Sequence, residues 1–148
     1  MKKLLIVMFV LILTVLVINA EELPQGQIQA TNGDIIVNGK LIDAPKPSVT
    51  EGVIMLPLIP ICEALGMIVN WDGETMSASI DFNIYIWIGK ALYTEKGNDP
   101  VEFGPAPQLI DNYVYVPIYF FGHALKGFDA GISEGRIVVN ATDNGSGK

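Results

Sequence analysis

The sequence predicts an α+β fold: two diverged repeats of mostly antiparallel strands, each with one short helix packed on the sheet. Three observations lead to this prediction. Short β-prone runs alternate with turn residues, each half carries one apolar stripe at helical spacing, and a shift of sixty residues superimposes one half on the other. With one cysteine and one histidine in 148 residues, an internal disulfide framework and a multi-cysteine metal site are excluded.

The first twenty residues have the pattern of a secretory signal peptide. Two lysines precede an apolar run over residues 4–18, interrupted only by Thr14, and Ala20 precedes two acidic residues. We expect cleavage after Ala20. A retained membrane anchor is the alternative, although fifteen helical residues span only ~23 Å of a hydrocarbon core of about 30 Å.

The expected mature chain is strongly acidic. With residues 1–20 removed, seven basic side chains face sixteen acidic ones, a formal charge of −9. Such a surface repels nucleic acid and anionic polymers. We therefore expect no nucleic-acid partner and, after signal cleavage, no membrane association.

The mature chain divides into three segments. Residues 21–33 are predicted to be a linker, residues 34–142 one domain, and residues 143–148 a flexible tail. Within the domain the pseudo-repeats cover about 34–82 and 84–142. The sixty-residue shift superimposes Pro45, Pro47, Pro57, Ala64, Leu65 and Glu74 on Pro105, Pro107, Pro117, Ala124, Leu125 and Glu134.

The elements of the two halves follow in the same order. The first half opens with a hairpin turning at Asn38-Gly39, and the second with an extended piece and turn over residues 92–98. Each half continues with a connection that contains two prolines and therefore cannot be a central strand. A short strand follows it, over residues 53–56 in the first half and 113–116 in the second. Each half closes with a hairpin, turning at Gly73 and Gly135, and a strand over 84–88 joins the halves.

One helix is predicted after the short strand of each half. The helix of the first half has an apolar stripe of Leu58, Ile61 and Leu65. The helix of the second half has one of Ile118, Phe121 and Leu125. Pro57 and Pro117 suit the first helical position, and Gly66 and Gly127 the C-terminal cap. Leu65 and Leu125 are expected to be matching buried side chains, and Glu63 and His123 matching solvent-facing ones.

Several short motifs, taken together, resemble one known family. They are Val37-Asn38-Gly39, Leu56-Pro57-Leu58, Glu63-Ala64-Leu65-Gly66, Val69-Asn70-Trp71-Asp72 and Ile88-Gly89. Over residues 34–141 the chain resembles the copper amine oxidase N-terminal domain-like family, often called stalk domains. The second half departs from the pattern, since Lys126 interrupts the Ala-Leu-Gly run and Gly131-Ile132 replaces the usual Trp-Asp.

The resemblance implies a non-catalytic extracytoplasmic module, common in Gram-positive bacteria and attached to wall-active or surface-layer partners. The catalytic domain of those oxidases needs three histidine ligands and an Asn-Tyr-Asp/Glu sequence. This chain has only His123, and its Asn112-Tyr113 pair is followed by Val114. Since one imidazole cannot hold copper selectively, we expect no metal, no cofactor and no amine oxidase activity.

Catalytic residues of other kinds are not predicted. Asp72 and Glu74 flank a hairpin glycine, where carboxylates usually form turns, and Glu134 lies in the second hairpin. Cys62 is expected to be a buried apolar side chain. A small secreted hydrolase using Asp72, Glu74 or Glu134 remains the least favoured hypothesis.

Four aromatic side chains are the candidate ligand-binding residues. Tyr85 and Trp87 share one face of their strand, and Tyr113 and Tyr115 share one face of theirs. They form either an open platform for sugars or a partner, or part of a core covered on both faces, which apolar strands favour. Trp71 is expected to be in the core.

The sequence therefore predicts a non-catalytic, secreted or cell-surface structural or interaction module. A cell-wall polymer or a surface protein is the expected partner. A cell-wall or carbohydrate-binding module using Tyr85, Trp87, Tyr113 and Tyr115 is the alternative, and the exposure of those four side chains separates the two.

Overall fold

The computed structural model describes residues 32–142, which form strands in three sheets and two short helices. The predicted signal peptide, residues 21–31 of the predicted linker and the predicted tail lie outside these residues. The strands are β1 (Ile35–Val37), β2 (Lys40–Leu41), β3 (Ser48–Thr50), β4 (Val53–Pro57), β5 (Val69–Asp72), β6 (Ser77–Ile80), β7 (Ile84–Trp87), β8 (Leu92–Glu95), β9 (Val101–Glu102), β10 (Gln108–Ile110), β11 (Tyr113–Pro117), β12 (Phe128–Ser133) and β13 (Arg136–Ala141). The helices are α1 (Leu58–Ala64) and α2 (Phe120–His123). Because the described residues form mostly strands and two short helices, the fold is an α+β mixture.

The central sheet joins the two halves of the chain in the order β10-β11-β4-β3. Its middle strands, β4 and β11, are antiparallel, with Leu56 opposite Val116. The edge strands β3 and β10 follow the two proline pairs, where only extended connections were expected. Thr50 Oγ1 donates a hydrogen bond to Gln108 Oε1 at 3.1 Å. Because the edges of a flat four-stranded sheet lie ~14 Å apart, this sheet must curl strongly.

A second sheet has the order β12-β13-β1-β2. The hairpin β1–β2 turns at Asn38 and Gly39, whose φ angles of 47° and 78° confirm the predicted turn. β1 pairs in parallel with β13, and the Asn38 side chain accepts a 2.8 Å hydrogen bond from the Ala141 amide. The N-terminal hairpin therefore completes a sheet formed by the C-terminal one.

The third sheet is fully antiparallel, in the order β5-β6-β7-β8-β9. Its first four strands confirm the predicted hairpin at Gly73 and the predicted joining strand. The predicted core position of Trp71 is wrong, because its side chain is 38% exposed. Trp71 lies on β5, an edge strand, so that neighbouring strands cover it from one side only.

The two helices differ more than the repeat predicts. α1 buries Leu58, Ile61 and Cys62, and Gly66 follows its end at a φ of 81°. Pro57 is the last residue of β4 rather than the first of the helix. Leu65, the expected match of buried Leu125, is only half-buried.

The second helix is a single turn. Pro117 ends β11 three residues before it begins, Ile118 precedes it, and Leu125 follows it. Gly127 at a φ of 89° therefore lies beyond the position of a helix cap. Aromatic residues and Gly122 form helices poorly, which accounts for the short length.

The core joins all three sheets and both helices. Buried side chains of each sheet meet the helical residues Ile61 and Phe121 in one continuous apolar cluster. Tyr93, Phe103 and Phe120 pack ring against ring, with centroids 5.5–5.9 Å apart. The third sheet is thereby fixed to the core through one face, and within residues 32–142 no helix or other sheet packs on its opposite face.

Candidate functional site

The third sheet has one buried and one open face. The buried face carries Ala78, Ile80, Ile84, Ile86 and Tyr93. Side chains directly opposite each other on paired strands share a face, so the register assigns the remaining residues to the other side. We call that side the outer face; it carries Asn70, Asp72, Ser77, Ser79, Tyr85, Trp87, Thr94 and Glu102. Leu92, opposite Glu102, belongs to it as well.

Tyr85 lies in the middle of a row of small polar side chains. Ser79 is opposite it on β6 and Thr94 is opposite it on β8, with Asn70 next to Ser79 on β5. Among the side-chain hydrogen bonds found within residues 32–142, none involves Asn70, Ser79 or Thr94. Hydroxyl and amide groups on both sides of one aromatic ring are thus free to bind a polar ligand.

Tyr85 is held in place by a strained turn. Its hydroxyl donates a 3.2 Å hydrogen bond to the carbonyl of Phe82. Phe82 has a φ of 55° and an exposure of 60%. A bulky residue in the left-handed region is a conformational outlier.

Trp87 lies in the second row of the outer face. Ser77 is opposite it, with Asp72 beyond. The Lys90 ammonium is 5.4 Å from the centroid of the Trp87 ring, a cation–π contact. A broad open hollow of about 630 Å³ continues from this point, lined by Lys90, Ala91, Leu92, Glu102 and Phe103. Lys90 therefore connects the Trp87 ring with a shallow groove.

The other two predicted ligand-binding residues lie on a different sheet. Tyr115 is 5% exposed, and its hydroxyl donates a 2.9 Å hydrogen bond to the carbonyl of Lys46. Burial raises the pKa of the Tyr115 phenol. Tyr113 is 43% exposed at the start of β11. The expectation that all four aromatics form one platform is corrected, because two belong to the third sheet and Tyr115 is buried in the central one.

The opposite expectation, that these strands are covered on both faces, is correct for Tyr115, whereas the outer-face side chains of β7 are only partly covered. The burial of β7 alternates, with Ile84 and Ile86 buried and Tyr85 and Trp87 half-buried. Sequence reasoning did not identify Asn70, Ser79, Thr94 or Lys90 as site residues. The alternation of Ser77 and Ser79 around Ala78 was the signal that β6 has an open face.

The carboxylates around Gly73 serve the turn. Asp72 Oδ1 accepts hydrogen bonds from the amides of Glu74 at 2.9 Å and Thr75 at 3.3 Å. Hydrogen bonds from the Thr75 side chain and from these amides lower the pKa of Asp72. A general acid requires a raised pKa, so Asp72 is unsuited to protonate a leaving group. Glu134 lies in the β12–β13 turn with a φ of 50°.

The remaining reactive side chains are His123 and Cys62. His123 is exposed, as predicted, with its ring 5.7 Å from that of Tyr119. Burial raises the pKa of the Cys62 thiol to about 12, so its nucleophilic thiolate is absent at neutral pH. Among residues 32–142 no three His, Cys, Asp or Glu side chains lie close enough to hold a metal ion. No helix in the same range has the length and apolar character to cross a membrane.

Comparison with known proteins identifies a family. The family model of the copper amine oxidase N-terminal domain matches residues 36–140. No curated protein and no solved structure matches the chain. The match confirms the resemblance found in the sequence motifs.

Proposed function

Because the chain belongs to the copper amine oxidase N-terminal domain family, we propose that it is a non-catalytic, exported interaction module that binds a cell-wall or surface partner. The N-terminal domain of copper amine oxidases is itself non-catalytic. The observation that carries the proposal is the outer face of the third sheet, where Tyr85 and Trp87 are only partly buried on a strand whose other face is buried. Tyrosine and tryptophan side chains are enriched at binding interfaces.

Export is part of this proposal. It is supported by the basic start, the apolar run and Ala20 in residues 1–20. We expect the protein outside the cell to begin near Glu21. The intact mass of protein recovered from the medium of cells expressing the full chain tests this, and recovery of residues 1–20 in the membrane fraction contradicts it.

The binding function is tested with the same secreted protein. It is incubated with sedimented cell walls at 0.15 M and 0.5 M salt, and the bound fraction is measured. Saturable binding is the expected result, retained at high salt because an acidic protein has no electrostatic attraction to anionic polymers. The absence of saturable binding to walls and to surface-protein extracts contradicts the proposal.

We also propose that the two halves are diverged copies of one unit. The order strand, strand, helix, strand, strand over residues 48–80 occurs again over residues 108–141. Leu56 and Val116, sixty residues apart, are opposite each other across β4 and β11. Such pairing is what an approximate two-fold relation between copies requires.

A further inference from the structure

We infer that the outer face of the third sheet is a binding site for an uncharged glycan chain, with Tyr85 and Trp87 as stacking platforms. This inference rests on the proposed binding function and specifies its ligand. A sugar ring has an apolar face of C–H groups and a rim of hydroxyls. It is therefore recognised by an aromatic ring with hydrogen-bonding side chains beside it.

The spacing of the two aromatic residues suits a chain ligand. Tyr85 and Trp87 are two residues apart on β7, so their side chains stand ~7 Å apart on one face. That separation is of the order of one sugar residue. The groove beyond Trp87, lined in part by Leu92 and Glu102, extends the surface for a ligand of several sugars.

The polar groups beside Tyr85 match the rim of a sugar. Asn70 supplies two amide donors and an acceptor, and Ser79 and Thr94 each supply a hydroxyl that donates or accepts. The Tyr85 ring is already fixed by its hydrogen bond to the Phe82 carbonyl. A site that is ordered before binding loses less conformational entropy when the ligand arrives.

The charges favour an uncharged ligand. The outer face carries the carboxylates of Asp72 and Glu102, and one cation, Lys90, lies over Trp87. The mature chain carries a net charge of −9. Polyphosphates and polyuronates are therefore repelled, whereas a neutral or N-acetylated sugar is not. Lys90 is exposed, so its flexible side chain can leave the Trp87 ring when a sugar stacks there.

A second copy of this chain is a poorer occupant. The cores of protein interfaces are depleted in serine, aspartate and lysine. The outer face has Ser77 and Ser79 at its centre and Asp72 and Lys90 beside Trp87. Its composition therefore favours a hydroxyl-rich ligand.

The two tryptophans allow a direct test, since the chain has only Trp71 and Trp87 and they lie on opposite faces of the third sheet. The secreted Trp71→Phe protein, in which Trp87 is the only tryptophan, is titrated with N-acetylglucosamine hexamer, cellohexaose and polygalacturonate. We expect a saturable change in emission with at least one uncharged oligosaccharide and none with polygalacturonate. The Trp87→Phe protein, which keeps Trp71, should show no such change.

Calorimetry with the oligosaccharide that binds then locates the site. Tyr85→Ala and Trp87→Ala should each weaken binding at least about tenfold. Tyr113→Ala, an exposed aromatic on the central sheet, is the matched control and should leave affinity within about twofold. Thermal melts of all three variants establish that they are folded.

Three results would overturn the inference: an unchanged Trp87 emission with both uncharged oligosaccharides, binding of polygalacturonate alone, or equal losses in Tyr85→Ala and Tyr113→Ala. A Trp87 emission that depends on protein concentration, together with sedimentation as a dimer, would instead assign the face to a second copy. If wall binding persists in Tyr85→Ala and Trp87→Ala, the interaction function stands and the glycan site fails.

Discussion

Leu56 and Val116 lie directly opposite each other on the two central strands of the curled sheet, and both are fully buried. They occupy corresponding positions in the two halves of the chain. Because each packs against the other, the volume of the pair is shared between the halves. Their packing can therefore be tested by exchanging the two side chains.

The exchange should be tolerated better than either single change. Leu56→Val removes a methylene from the core, and Val116→Leu adds one to a packed site; each should cost about 1–3 kcal/mol. The double variant conserves volume and should cost less than about 1.5 kcal/mol. Urea unfolding of the four proteins gives the coupling energy. Strict additivity of the single effects would contradict shared packing.

Leu125 and Leu65 should differ in their contribution to stability. Leu125 is 1% exposed, so Leu125→Ala should lower the free energy of unfolding by about 2–5 kcal/mol. Because Leu65 is only half-buried, Leu65→Ala should lower the free energy of unfolding by at most about 1.5 kcal/mol. Glu63→Ala and His123→Ala, both at exposed positions, are the controls and should stay within about 0.5 kcal/mol. A large loss of unfolding free energy in His123→Ala would show that this histidine has a structural role.

Cys62 should make the protein sensitive to alkali. Its pKa is about 12 when folded and 9.0 when exposed to water, so above pH 9 only the unfolded chain loses the proton. The free energy of unfolding should therefore fall by up to about 1.4 kcal/mol per pH unit between pH 9 and 12, and no such effect should occur below pH 9.

The Cys62→Ala variant is the control for this slope. It is less stable at neutral pH because of the cavity, but it has no thiol to titrate. Urea midpoints at pH 8, 9, 10 and 11 should therefore fall more steeply for the wild type. Parallel curves for the two proteins would mean that the thiol is accessible to water.

Glu95 should titrate below its ordinary pKa. Lys126 Nζ contacts both carboxylate oxygens at 3.1 Å, and Asn83 and Asn98 donate further hydrogen bonds. These contacts, Lys126 first, lower the pKa, so the stabilisation is present above the ordinary pKa and is lost as the pH falls through the folded value. NMR of the Glu95 carboxyl carbon should show that the pKa of Glu95 rises in Lys126→Met and is unchanged in Lys96→Met. An equal response in both variants would argue against a specific contact.

Gly39 should be required for its backbone conformation rather than for space. A Cβ at this position meets nothing within 4 Å, but its φ is 78°. Gly39→Ala should therefore lower the free energy of unfolding by about 1–2 kcal/mol. Gly73→Ala is the control: its φ is not left-handed, its nearest neighbour is Trp71 Nε1 at 3.6 Å, and thermal melting should change little. Equal losses would show that the turn at Gly39 relaxes.

The local elements of this protein follow from residues that are neighbours in the sequence. Two adjacent residues suffice to set the Asn38–Gly39 turn, since its positive φ angles are intrinsic to those residue types. The hairpins over residues 69–80 and 128–141 were predicted to within one or two residues, because each consists of neighbouring alternating runs around a turn. The same motifs also identified the family.

Tertiary structure alone decided how these elements are covered. Tyr85 and Tyr115 both alternate with apolar residues, yet Tyr85 faces outward and Tyr115 is bonded to the Lys46 carbonyl, sixty-nine residues away in sequence. β1 likewise finds its parallel partner, β13, about a hundred residues along the chain. The alternation of side chains shows that a strand has two faces, but which face is buried depends on the sheet packed against it. For β7 and β11 that contact joins distant parts of the chain, so the alternation within these two strands does not contain it.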